Sequence, residues 1–372
     1  MKILHVLSDK NIGGAGKCVL ALVDWSNGTK FRGSIEVVLP RESDLTPEFL
    51  KRDVFVTEID HLDSSFDSKA IKILHGIMKQ KQPDIIHTHA ALSARVAARK
   101  YKKAKIVYTR HSYYDQKTKL LNKIPNWMIN NAMADAIIAV SPAVADNLKS
   151  LGAPKKKIHI IFNGVPYAPV FQPDKRLIIR EEYGLKPNHF IVSIMARLVK
   201  DKDHDTLLDA AKMLCDIDRS IKFIIAGKGE EEHRLKVRVQ HEDIRNVLFT
   251  GFVNEIEKIE NITDLQVNTS IGTEATSLAL LDGLSLGIPA VASDFGGNPY
   301  VIVHGRNGLL FPKRRPIALV NAILEIRNNR DLYNDMSFQA LEVFETRFTL
   351  DRMGSQTFAL YEKLLRGPKH AR

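Results

Sequence analysis

Two carboxylates lie on either side of a turn that the sequence predicts to open a helix. Glu274 precedes the turn, and Asp282 follows it inside the apolar run 278–286. Thr276 or Ser277 can cap that run, and the first amides of a helix have no partner within it, so they suit a phosphate or diphosphate. A carboxylate at Glu274 can then accept hydrogen bonds from hydroxyls of the group attached to that phosphate. An acid among leucines, as at Asp282, costs free energy unless it has a partner; a solvent-facing Asp on an ordinary amphipathic helix is the alternative.

Two cations follow the strand predicted at 190–196. Arg197 and Lys202 are five positions apart. Cations just beyond the end of a first strand can reach two phosphates, because Arg forks across two oxygens and Lys acts as a point charge. Aspartates occupy the same stretch, so a surface ion-pair cluster is the alternative reading.

The order and spacing of these residues resemble the sequence signature of a known enzyme family. The sequence has an acid, seven residues and a second acid, then Gly-Ile-Pro and AVASDFGGNP. This pattern resembles the donor-binding signature of family 4 of the retaining, nucleotide-sugar-dependent glycosyltransferases of the GT-B fold. The spacing between Arg197 and Lys202 matches the diphosphate pair of that family. The chain departs from the pattern at Asp282, where the family usually has Glu, and at 275–277, where its turn usually contains Gly-Phe-Gly; the second departure bears on the sugar preference.

The resemblance implies a role for each of these residues. Glu274 would hold the donor sugar and Asp282 the ribose. The nucleobase would lie near the turn at Phe252 and Val253 and be read largely by backbone, although a core position is the alternative for Phe252. Neither a metal nor another cofactor is expected, since no metal-carboxylate motif is visible and the nucleotide sugar is a co-substrate. The departing diphosphate would be stabilised by two cations and two amides, those of Arg197, Lys202, Ser277 and Leu278.

A glycine-rich turn follows the first predicted strand. Gly13 and Gly14 would let the backbone approach a ligand closely. A phosphate-binding P-loop is excluded, because Asn11 stands at the first glycine position and Cys18 replaces the Ser or Thr that would hold magnesium. A tight strand-to-helix turn remains one reading; the family resemblance makes it the loop near the phosphates and the acceptor.

Histidines end two neighbouring strands of the first half. His89 follows one strand, and Arg110 with His111 follows another, so all three are expected at the carboxyl edge of the sheet, where α/β proteins bind ligands. A structural role is the favoured reading for His87. The segment TRHS resembles the place where family members set a His against the donor sugar, which makes His111 a candidate catalytic residue.

Strand-like runs alternate with helical segments along the chain, as in doubly wound parallel sheets. The turn signal at 163–166 resembles the element that precedes the interdomain linker of the family. We therefore predict an α/β, GT-B fold: two Rossmann-like doubly wound domains facing an interdomain cleft. The first, 1–166, would bind the acceptor and be completed by a C-terminal helix at about 354–372; the second, 167–353, would bind the nucleotide sugar.

Composition limits the class of protein. With 372 residues the chain fits two domains, and 44% hydrophobic content supports buried cores. The two cysteines, Cys18 and Cys215, are far apart, which favours a reducing cytosol. No apolar run reaches the roughly 18 residues of a spanning helix, and the N-terminus reads as a strand and not as a signal peptide. A cytoplasmic protein is expected, with peripheral attachment to the inner face of the plasma membrane left open.

The net charge of +11 is uneven, because the whole excess lies before residue 167. Residues 93–157 alone hold 14 Lys and Arg against 3 Asp and Glu. A basic surface of this kind indicates an anionic partner such as a membrane or an acidic acceptor, unless it is a solvated face that keeps the protein soluble. No nucleic-acid partner is expected, since no reader motif accompanies the charge.

The family resemblance, together with the basic region, implies a retaining, metal-independent hexosyltransferase that moves a sugar from a UDP-sugar to the hydroxyl of a glycan or lipid-linked acceptor, in bacterial envelope or exopolysaccharide synthesis. Three alternatives stay open. A nucleotide-sugar epimerase of the same fold would need no acceptor. A glucan-elongating synthase would prefer a soluble polymer, which leaves the basic region unexplained. An inactive nucleotide-sugar-binding protein would bind the donor without cleaving it.

Overall fold

The computed structural model describes residues 1–64, 66–113 and 123–367. Contacts between Cα atoms divide the chain into two units: unit 1 is Met1–Gly164 with the segment that begins at Leu350, and unit 2 is Val165–Thr349. In the residues described, each unit is built on a parallel sheet with flanking helices. The predicted α/β class with two doubly wound domains is therefore confirmed.

Unit 1 begins as a regular alternation of strands and helices. The described strands and α-helices before residue 165 are β1 (Ile3–Leu7), α1 (Gly14–Asn27), β2 (Ile35–Pro40), α2 (Thr46–Leu50), β3 (Phe55–Ile59), α3 (Ser68–Lys81), β4 (Ile85–His89), α4 (Leu92–Tyr101), β5 (Lys105–Arg110), α5 (Lys123–Ala132), β6 (Ala136–Ala139), α6 (Pro142–Ser150) and β7 (Ile158–Ile160).

The sheet of unit 1 has the order β3-β2-β1-β4-β5-β6-β7, with all neighbours parallel. Every residue of β1 and of β4 is buried, as expected for central strands covered on both faces. The order reverses at β1, since β2 lies on one side of it and β4 on the other. Ligands of open α/β sheets bind beyond the carboxyl ends of strands at such a reversal. Gly13, after β1, and His89, which ends β4, both belong to this edge.

Unit 2 repeats the plan. Its strands and α-helices are α7 (Pro173–Glu182), β8 (Phe190–Met195), α8 (His204–Ile217), β9 (Ile221–Ala226), α9 (Glu232–His241), β10 (Val247–Gly251), α10 (Ile256–Ile262), β11 (Leu265–Asn268), α11 (Leu278–Ser285), β12 (Ala290–Ser293), α12 (Asn298–Val301), β13 (Gly308–Phe311), α13 (Pro316–Asn328) and α14 (Arg330–Arg347). The sheet has the order β10-β9-β8-β11-β12-β13, again parallel throughout. The core brings apolar residues of the sheet together with those of α8 and α13.

The last helix, α15 (Leu350–Arg366), belongs to unit 1 and packs on α1. Its Asp351 accepts a hydrogen bond from the indole Nε1 of Trp25 at 2.9 Å. The ring of Phe358 lies 5.0 Å from that of Trp25, and Tyr361 is fully buried. Gly354 is the point of closest approach, because an added Cβ would lie 2.3 Å from the Trp25 ring. The helix therefore covers a face of unit 1 that its first 164 residues leave open.

Two helical glycines of unit 1 provide a matched test of this packing. Gly354→Ala should lower the free energy of unfolding, because forcing atoms into a packed contact costs about 1–3 kcal/mol and helix propensity returns at most about 1. Gly76→Ala, in α3, has no atom within 4 Å of its Cβ position and should raise it by about 0.5–1 kcal/mol. Urea unfolding of both variants checks the contrast. Equal effects would show that α15 does not rest on Trp25.

Candidate active site

The predicted anion-binding turn of unit 2 leads into α11, which ends one residue earlier than the apolar run suggested. Ser277 caps it, since its hydroxyl accepts a hydrogen bond from the amide of Leu280 at 3.4 Å. The chain leaves the helix at Gly287, whose φ of +71° lies in the left-handed region that favours glycine. The amides of Leu278 and Ala279 open the helix and have no intrahelical partner by geometry. The capped helix start that the sequence predicts is therefore present, and anion binding by its amides stays a prediction.

Two segments far apart in sequence meet beside this turn. The 3₁₀ turn Lys200–Lys202 lies against residues 271–273. The carbonyl of Asp201 accepts hydrogen bonds from the amides of Ile271 and Gly272 at 2.8 and 3.2 Å. A side chain at Gly272 would collide with Asp201, whose atoms lie 2.2–2.5 Å from the Cβ position. Glycine is thus required here so that the cation-bearing turn can approach the carboxylate-bearing loop.

The result of this approach is an ion pair between two of the predicted site residues. Lys202 Nζ lies 2.6 Å from Glu274 Oε2. The same oxygen accepts hydrogen bonds from Ser270 Oγ at 2.9 Å and Asn268 Nδ2 at 3.2 Å. Glu274 is only 5% exposed. Its second oxygen, Oε1, accepts no hydrogen bond from the described residues.

The surroundings of Glu274 hold it in the charged form. Burial alone would raise the pKa of this carboxyl, but the charge and hydrogen bond of Lys202, with hydrogen bonds from Asn268 and Ser270, outweigh burial and lower the pKa below its ordinary value. A buried carboxylate that is ionised and has one oxygen without a partner is suited to bind hydroxyl groups.

A layer of buried polar side chains supports Glu274 from behind, and the sequence reasoning missed it. Asn298 Nδ2 donates to Asn268 Oδ1 at 3.3 Å and to Ser293 Oγ at 3.1 Å, and Ser293 Oγ donates to the carbonyl of Ser270 at 2.6 Å. Asn268 and Ser270 lie at the carboxyl end of β11. That position is a signal that could have found them, because ligand sites of α/β sheets lie at carboxyl ends.

The double glycine of the SDFGG segment fixes the backbone next to Glu274. The amide of Gly297 donates to the Glu274 carbonyl at 3.0 Å. A Cβ on Gly297 would lie 1.8 Å from the Ala275 carbonyl oxygen, so no larger residue fits. Gly296 has a φ of +57°. These two residues explain in packing terms why this part of the motif contains glycines.

The other residues of unit 2 that the sequence predicts to bind the nucleotide sugar differ in their exposure and contacts. Arg197 is exposed beyond the end of β8 and forms no ion pair with any residue described, in contrast to Lys202. Asp282 is half-buried on α11. Phe252 is 64% exposed, so the alternative that it is a core residue is wrong, whereas Val253 packs partly against the core of unit 2. The structure therefore joins Lys202 with Glu274, and the predicted roles of all these residues toward a ligand stay predictions.

The glycine turn of unit 1 has open space around it. Gly13 is the N-cap of α1, and Gly14 is its first residue. A Cβ on Gly14 would meet no described atom within 4 Å, and one on Gly13 only the Asn11 carbonyl oxygen at 4.0 Å. Neither has a positive φ. Within the described chain, neither packing nor backbone geometry requires glycine at these two positions, in contrast to Gly16, where Leu45 leaves no room.

The histidine predicted to touch the donor sugar belongs to a stack of four imidazole rings in unit 1. His111 Nε2 lies 2.8 Å from His89 Nδ1, and His89 Nε2 lies 3.0 Å from His5 Nδ1. His87 stacks on His89 with ring centroids 4.4 Å apart. Sequence reasoning placed His89 and His111 at the sheet edge but missed His5, which is hidden inside the apolar strand β1.

Burial removes the charge from this stack. It lowers the pKa of His5 to about 3 and that of His111 to about 4. Burial, with repulsion from neighbouring histidines, also lowers the pKa of His87 and of His89 well below the ordinary value. All four rings are therefore neutral near pH 7. The structural reading of His87 agrees with its contacts, since its two ring nitrogens lie 2.5 Å from Tyr361 Oη and 2.6 Å from Thr109 Oγ1.

Part of the basic region at 93–157 falls on residues 114–122, outside the described residues. In the described part, exposed cations surround the end of α4: Arg99, Lys100, Lys102, Lys103 and Lys105. Arg95 is buried over the ring of Tyr108, and Lys157 donates to the carbonyls of Asn131 and Ala134. No helix in the described chain has the length and apolarity needed to cross a membrane.

Comparison with known proteins gives consistent matches. Residues 12–168 match the family model described as Glycosyltransferase Family 4, and residues 175–343 match Glycosyl transferases group 1. Putative glycosyltransferase EpsD of Bacillus subtilis (strain 168) is 27% identical over 72% of this chain and 74% of that protein. The UDP-Gal:alpha-D-GlcNAc-diphosphoundecaprenol alpha-1,3-galactosyltransferase of Escherichia coli is 27% identical over 72% of each. The solved structure of Anabaena Alr3699/HepE in complex with UDP is 20% identical, with a TM-score of 0.83 over 97% of this chain and 100% of that one.

The buried pair predicts a pH-dependent cost of removing its cation. Lys202→Met leaves the Glu274 carboxylate buried without its counter-charge and should lower the free energy of unfolding by about 3 kcal/mol near pH 7. In the native protein the lowered pKa contributes stability above the ordinary value of 4.5, and this is lost as pH falls through the folded pKa. In the variant, burial raises that pKa, so the deficit should shrink as pH falls and Glu274 takes up a proton. Urea unfolding between about pH 4 and pH 8 measures it.

Two further variants control this measurement. Lys200→Met removes an exposed lysine of the same turn and should change stability little. The double variant Lys202→Met/Glu274→Gln replaces the ion pair by neutral groups and should recover most of the loss. A deficit that is independent of pH, or that survives in the double variant, would show that Lys202 stabilises the fold by packing and not by charge.

Proposed function

Because the chain belongs to family 4 of the glycosyltransferases, the group 1 type, we propose that it transfers a sugar from a UDP-sugar to an acceptor hydroxyl with retention at the anomeric carbon. The observation that carries this proposal is the buried Lys202–Glu274 pair beside the start of α11. It combines a carboxylate that can hold sugar hydroxyls with a cation and helix amides that can hold phosphate.

The leaving diphosphate is the part of the donor that gains charge, so cations and amides placed around it lower the barrier. Lys202 has three N–H groups, and Glu274 and Ser270 engage two of them. Arg197 is exposed and has the planar fork that matches phosphate oxygens. The amides at Ser277 and Leu278 add the positive end of the helix dipole. With these groups in place the reaction needs no metal ion for charge neutralisation.

The donor sugar and nucleoside are proposed to bind through the remaining groups. Glu274 Oε1 has no partner in the described chain and would accept hydrogen bonds from sugar hydroxyls. Asp282 would hold the ribose, and the exposed turn at Phe252 and Val253 would contact the base. UDP is the preferred nucleotide because the Anabaena neighbour is in complex with UDP and the Escherichia coli relative is a UDP-Gal transferase.

Retention requires the acceptor to enter on the face from which the diphosphate leaves. The bond between the anomeric carbon and the phosphate oxygen breaks as a bond to the acceptor oxygen forms. The acceptor proton passes to the departing phosphate, which leaves as UDP, so no protein nucleophile is needed. His111 is proposed to contact the donor sugar during this step, with Arg197 and Lys202 holding the leaving group.

The acceptor is proposed to be a glycan or lipid-linked molecule at the cytoplasmic face of the plasma membrane, in bacterial envelope or exopolysaccharide synthesis. The exposed cations at the end of α4 support this placement, because each Lys or Arg near an anionic membrane contributes about 1 kcal/mol of attraction. The relatives from Bacillus subtilis and Escherichia coli are bacterial, and the second acts on a diphosphoundecaprenol-linked sugar.

Release of nucleotide from a panel of UDP-, GDP- and ADP-sugars in EDTA tests the donor site. We expect slow release from a UDP-sugar, lowered about 100-fold by Arg197→Ala and by Glu274→Ala, since one lost transition-state contact costs about 3 kcal/mol. Arg219→Ala removes an exposed arginine elsewhere in unit 2 and should have no effect. Interconversion of sugars without release would identify an epimerase, binding without release an inactive protein, and loss of activity in EDTA a metal-dependent enzyme.

The open glycine turn gives a second test, which separates binding from folding. Gly14→Ala should leave the free energy of unfolding unchanged or raise it, because the added methyl meets nothing in the described chain. It should weaken donor binding by about 1–3 kcal/mol, the cost of forcing a methyl against a bound ligand. Calorimetric titration with UDP, beside urea unfolding, measures the two effects. Unchanged affinity would remove Gly14 from the donor site.

A further inference from the structure

One arginine of unit 1 is buried without a counter-charge among the described residues. Arg95, on α4, is only 7% exposed. A guanidinium carries five N–H groups and stays charged throughout the pH range of folded proteins. Nη1 of Arg95 donates to Asn130 Oδ1 at 3.1 Å, whereas Nε is buried without a partner. No carboxylate of the described residues forms an ion pair with this side chain.

The other neighbours of Arg95 do not neutralise it. Its Cζ lies 4.2 Å from the centroid of the Tyr108 ring, and such a contact offsets only part of the cost of burying a charge. Burial lowers the pKa of Arg95, and repulsion from the Arg110 guanidinium adds to the lowering. Asp67, whose main chain contacts Ser93 of α4, turns its carboxylate to the first amides of α3. An anion bound from solution would therefore stabilise the buried guanidinium.

The start of α4 adds a second feature that favours an anion. Arg95 is the fourth residue of this ten-residue helix, and helical side chains lean back toward the N-terminus, so its guanidinium lies over the first turn. The N-cap residue, Ala91, makes no side-chain hydrogen bond to the amides of that turn, and the turn contains no acid. Amides at a helix start have no intrahelical partner, and with the helix dipole they suit a phosphate.

These groups lie at the carboxyl edge of the sheet of unit 1, where α/β proteins bind ligands. Tyr108 is two residues from the end of β5, and Arg110 is its last residue. Side chains alternate along a strand, so Tyr108 and Arg110 share one face of β5. Thr109, between them, contacts His87 on the other face. The sheet therefore separates Arg95 from the histidine stack.

We propose that Arg95 and the first turn of α4 form a binding site in unit 1 for a phosphate group of the acceptor. Two phosphate oxygens match the fork of a guanidinium, and a third can accept hydrogen bonds from helix amides. The assignment to the acceptor rests on the proposed function, in which Arg197 and Lys202 of unit 2 hold the donor diphosphate. The phosphate belongs either to a lipid or to a soluble molecule, and the ligands used below distinguish the two.

Spectra of the full-length chain labelled with ¹⁵N-arginine report on the site. The Nε–H signal of Arg95 is assigned by its loss in Arg95→Met. Methyl phosphate, titrated at constant ionic strength, should shift that signal to saturation, both without UDP and with UDP in excess. An absent shift, or an equal shift with acetate, overturns the phosphate site. A shift that UDP abolishes would assign the site to the donor and overturn the acceptor role.

Replacing Arg95 separates a ligand-binding role from a structural one. Arg95→Met removes the charge and keeps an apolar stem, and replacing a buried charged group by an apolar one is often neutral or stabilising. In phosphate-free buffer the urea concentration at half-unfolding should therefore stay the same or rise. A variant that unfolds at lower urea, or does not fold, would show that the chain itself compensates the guanidinium and would contradict the proposal.

The same unfolding experiment measures binding in the variants. With UDP in excess, methyl phosphate should raise the urea midpoint of the wild type but not that of Arg95→Met. Arg95→Lys keeps the charge without the fork and should show a smaller rise. Arg99→Met, which removes an exposed arginine one turn further along α4, is the matched control and should respond as the wild type does. An equal response in Arg95→Met would place the phosphate elsewhere.

Two further ligands identify the source of the phosphate. Farnesyl phosphate carries the group on an apolar chain, and farnesol is the same chain without it. Farnesyl phosphate that binds at least about tenfold more tightly than methyl phosphate indicates a lipid-linked acceptor, since burial of two methylene groups is already worth that factor. Equal affinities indicate a soluble one, and both results support the site. Farnesol that binds as tightly as farnesyl phosphate contradicts it.

Nucleotide release from the donor separates this inference from the proposed function. If methyl phosphate leaves the Arg95 signal unchanged while Arg197→Ala lowers release from a UDP-sugar, the phosphate site is wrong and the glycosyltransferase function stands. If methyl phosphate binds at Arg95 but no nucleotide sugar is cleaved, the phosphate site stands and its assignment to an acceptor fails.

Discussion

The structure of unit 2 around its candidate site depends on keeping one ionised carboxylate buried. An unpaired buried charge costs several kcal/mol, so Glu274 requires a cation and hydrogen-bond donors in fixed positions. Lys202 provides the cation, and the 3₁₀ turn that carries it is bound through Asp201 to the loop before Glu274. Asn268 and Ser270 provide the remaining donors. The glycines at 272 and 297 are needed because backbone must come close enough to hold these groups.

The buried histidine cluster of unit 1 carries no charge, in contrast to the Glu274 site of unit 2. Among the residues that the structure describes, no carboxylate contacts its four stacked rings, and burial leaves the rings neutral. Neutral rings interact through hydrogen bonds and not through net charge, and each bond needs a donor nitrogen that faces an acceptor nitrogen. One cluster thus holds an ionised carboxylate beside its cation, whereas the other holds neutral rings in contact through hydrogen bonds.

Local patterns in the sequence predicted the alternating elements well, because hydrophobic periodicity and turn residues act over a few positions. The cap at Ser277 and the helix that follows are examples. The pairing of Lys202 with Glu274 could not be read from local patterns, since it depends on a contact between segments more than 70 residues apart. The predictions gave those residues separate roles toward a ligand, and the structure shows that they also bind each other.

His5 shows a different limit. In the sequence it is the one polar residue inside the apolar strand 3–7, and no neighbouring residue indicates a functional role for it. His5 joins the histidine cluster only through the pairing of β1 with β4, because the register of these strands sets His5 opposite His87 and Leu7 opposite His89. The supporting layer behind Glu274 was missed for a related reason. Asn268 and Ser270 donate hydrogen bonds to a carboxylate, so a search for known motifs passes over them, and only their position at the carboxyl end of β11 points to them.

The packing of α15 on α1 has a consequence for how the chain is made. Residues 1–164 leave the ribosome first, yet Trp25 and His87 acquire their contacts with Asp351, Phe358 and Tyr361 only when the last helix is complete. Unit 2 is a single continuous segment and has all its partners earlier. Domains generally fold as units once their residues are available. The α1 face of unit 1 therefore stays uncovered until unit 2 and then α15 have been synthesised.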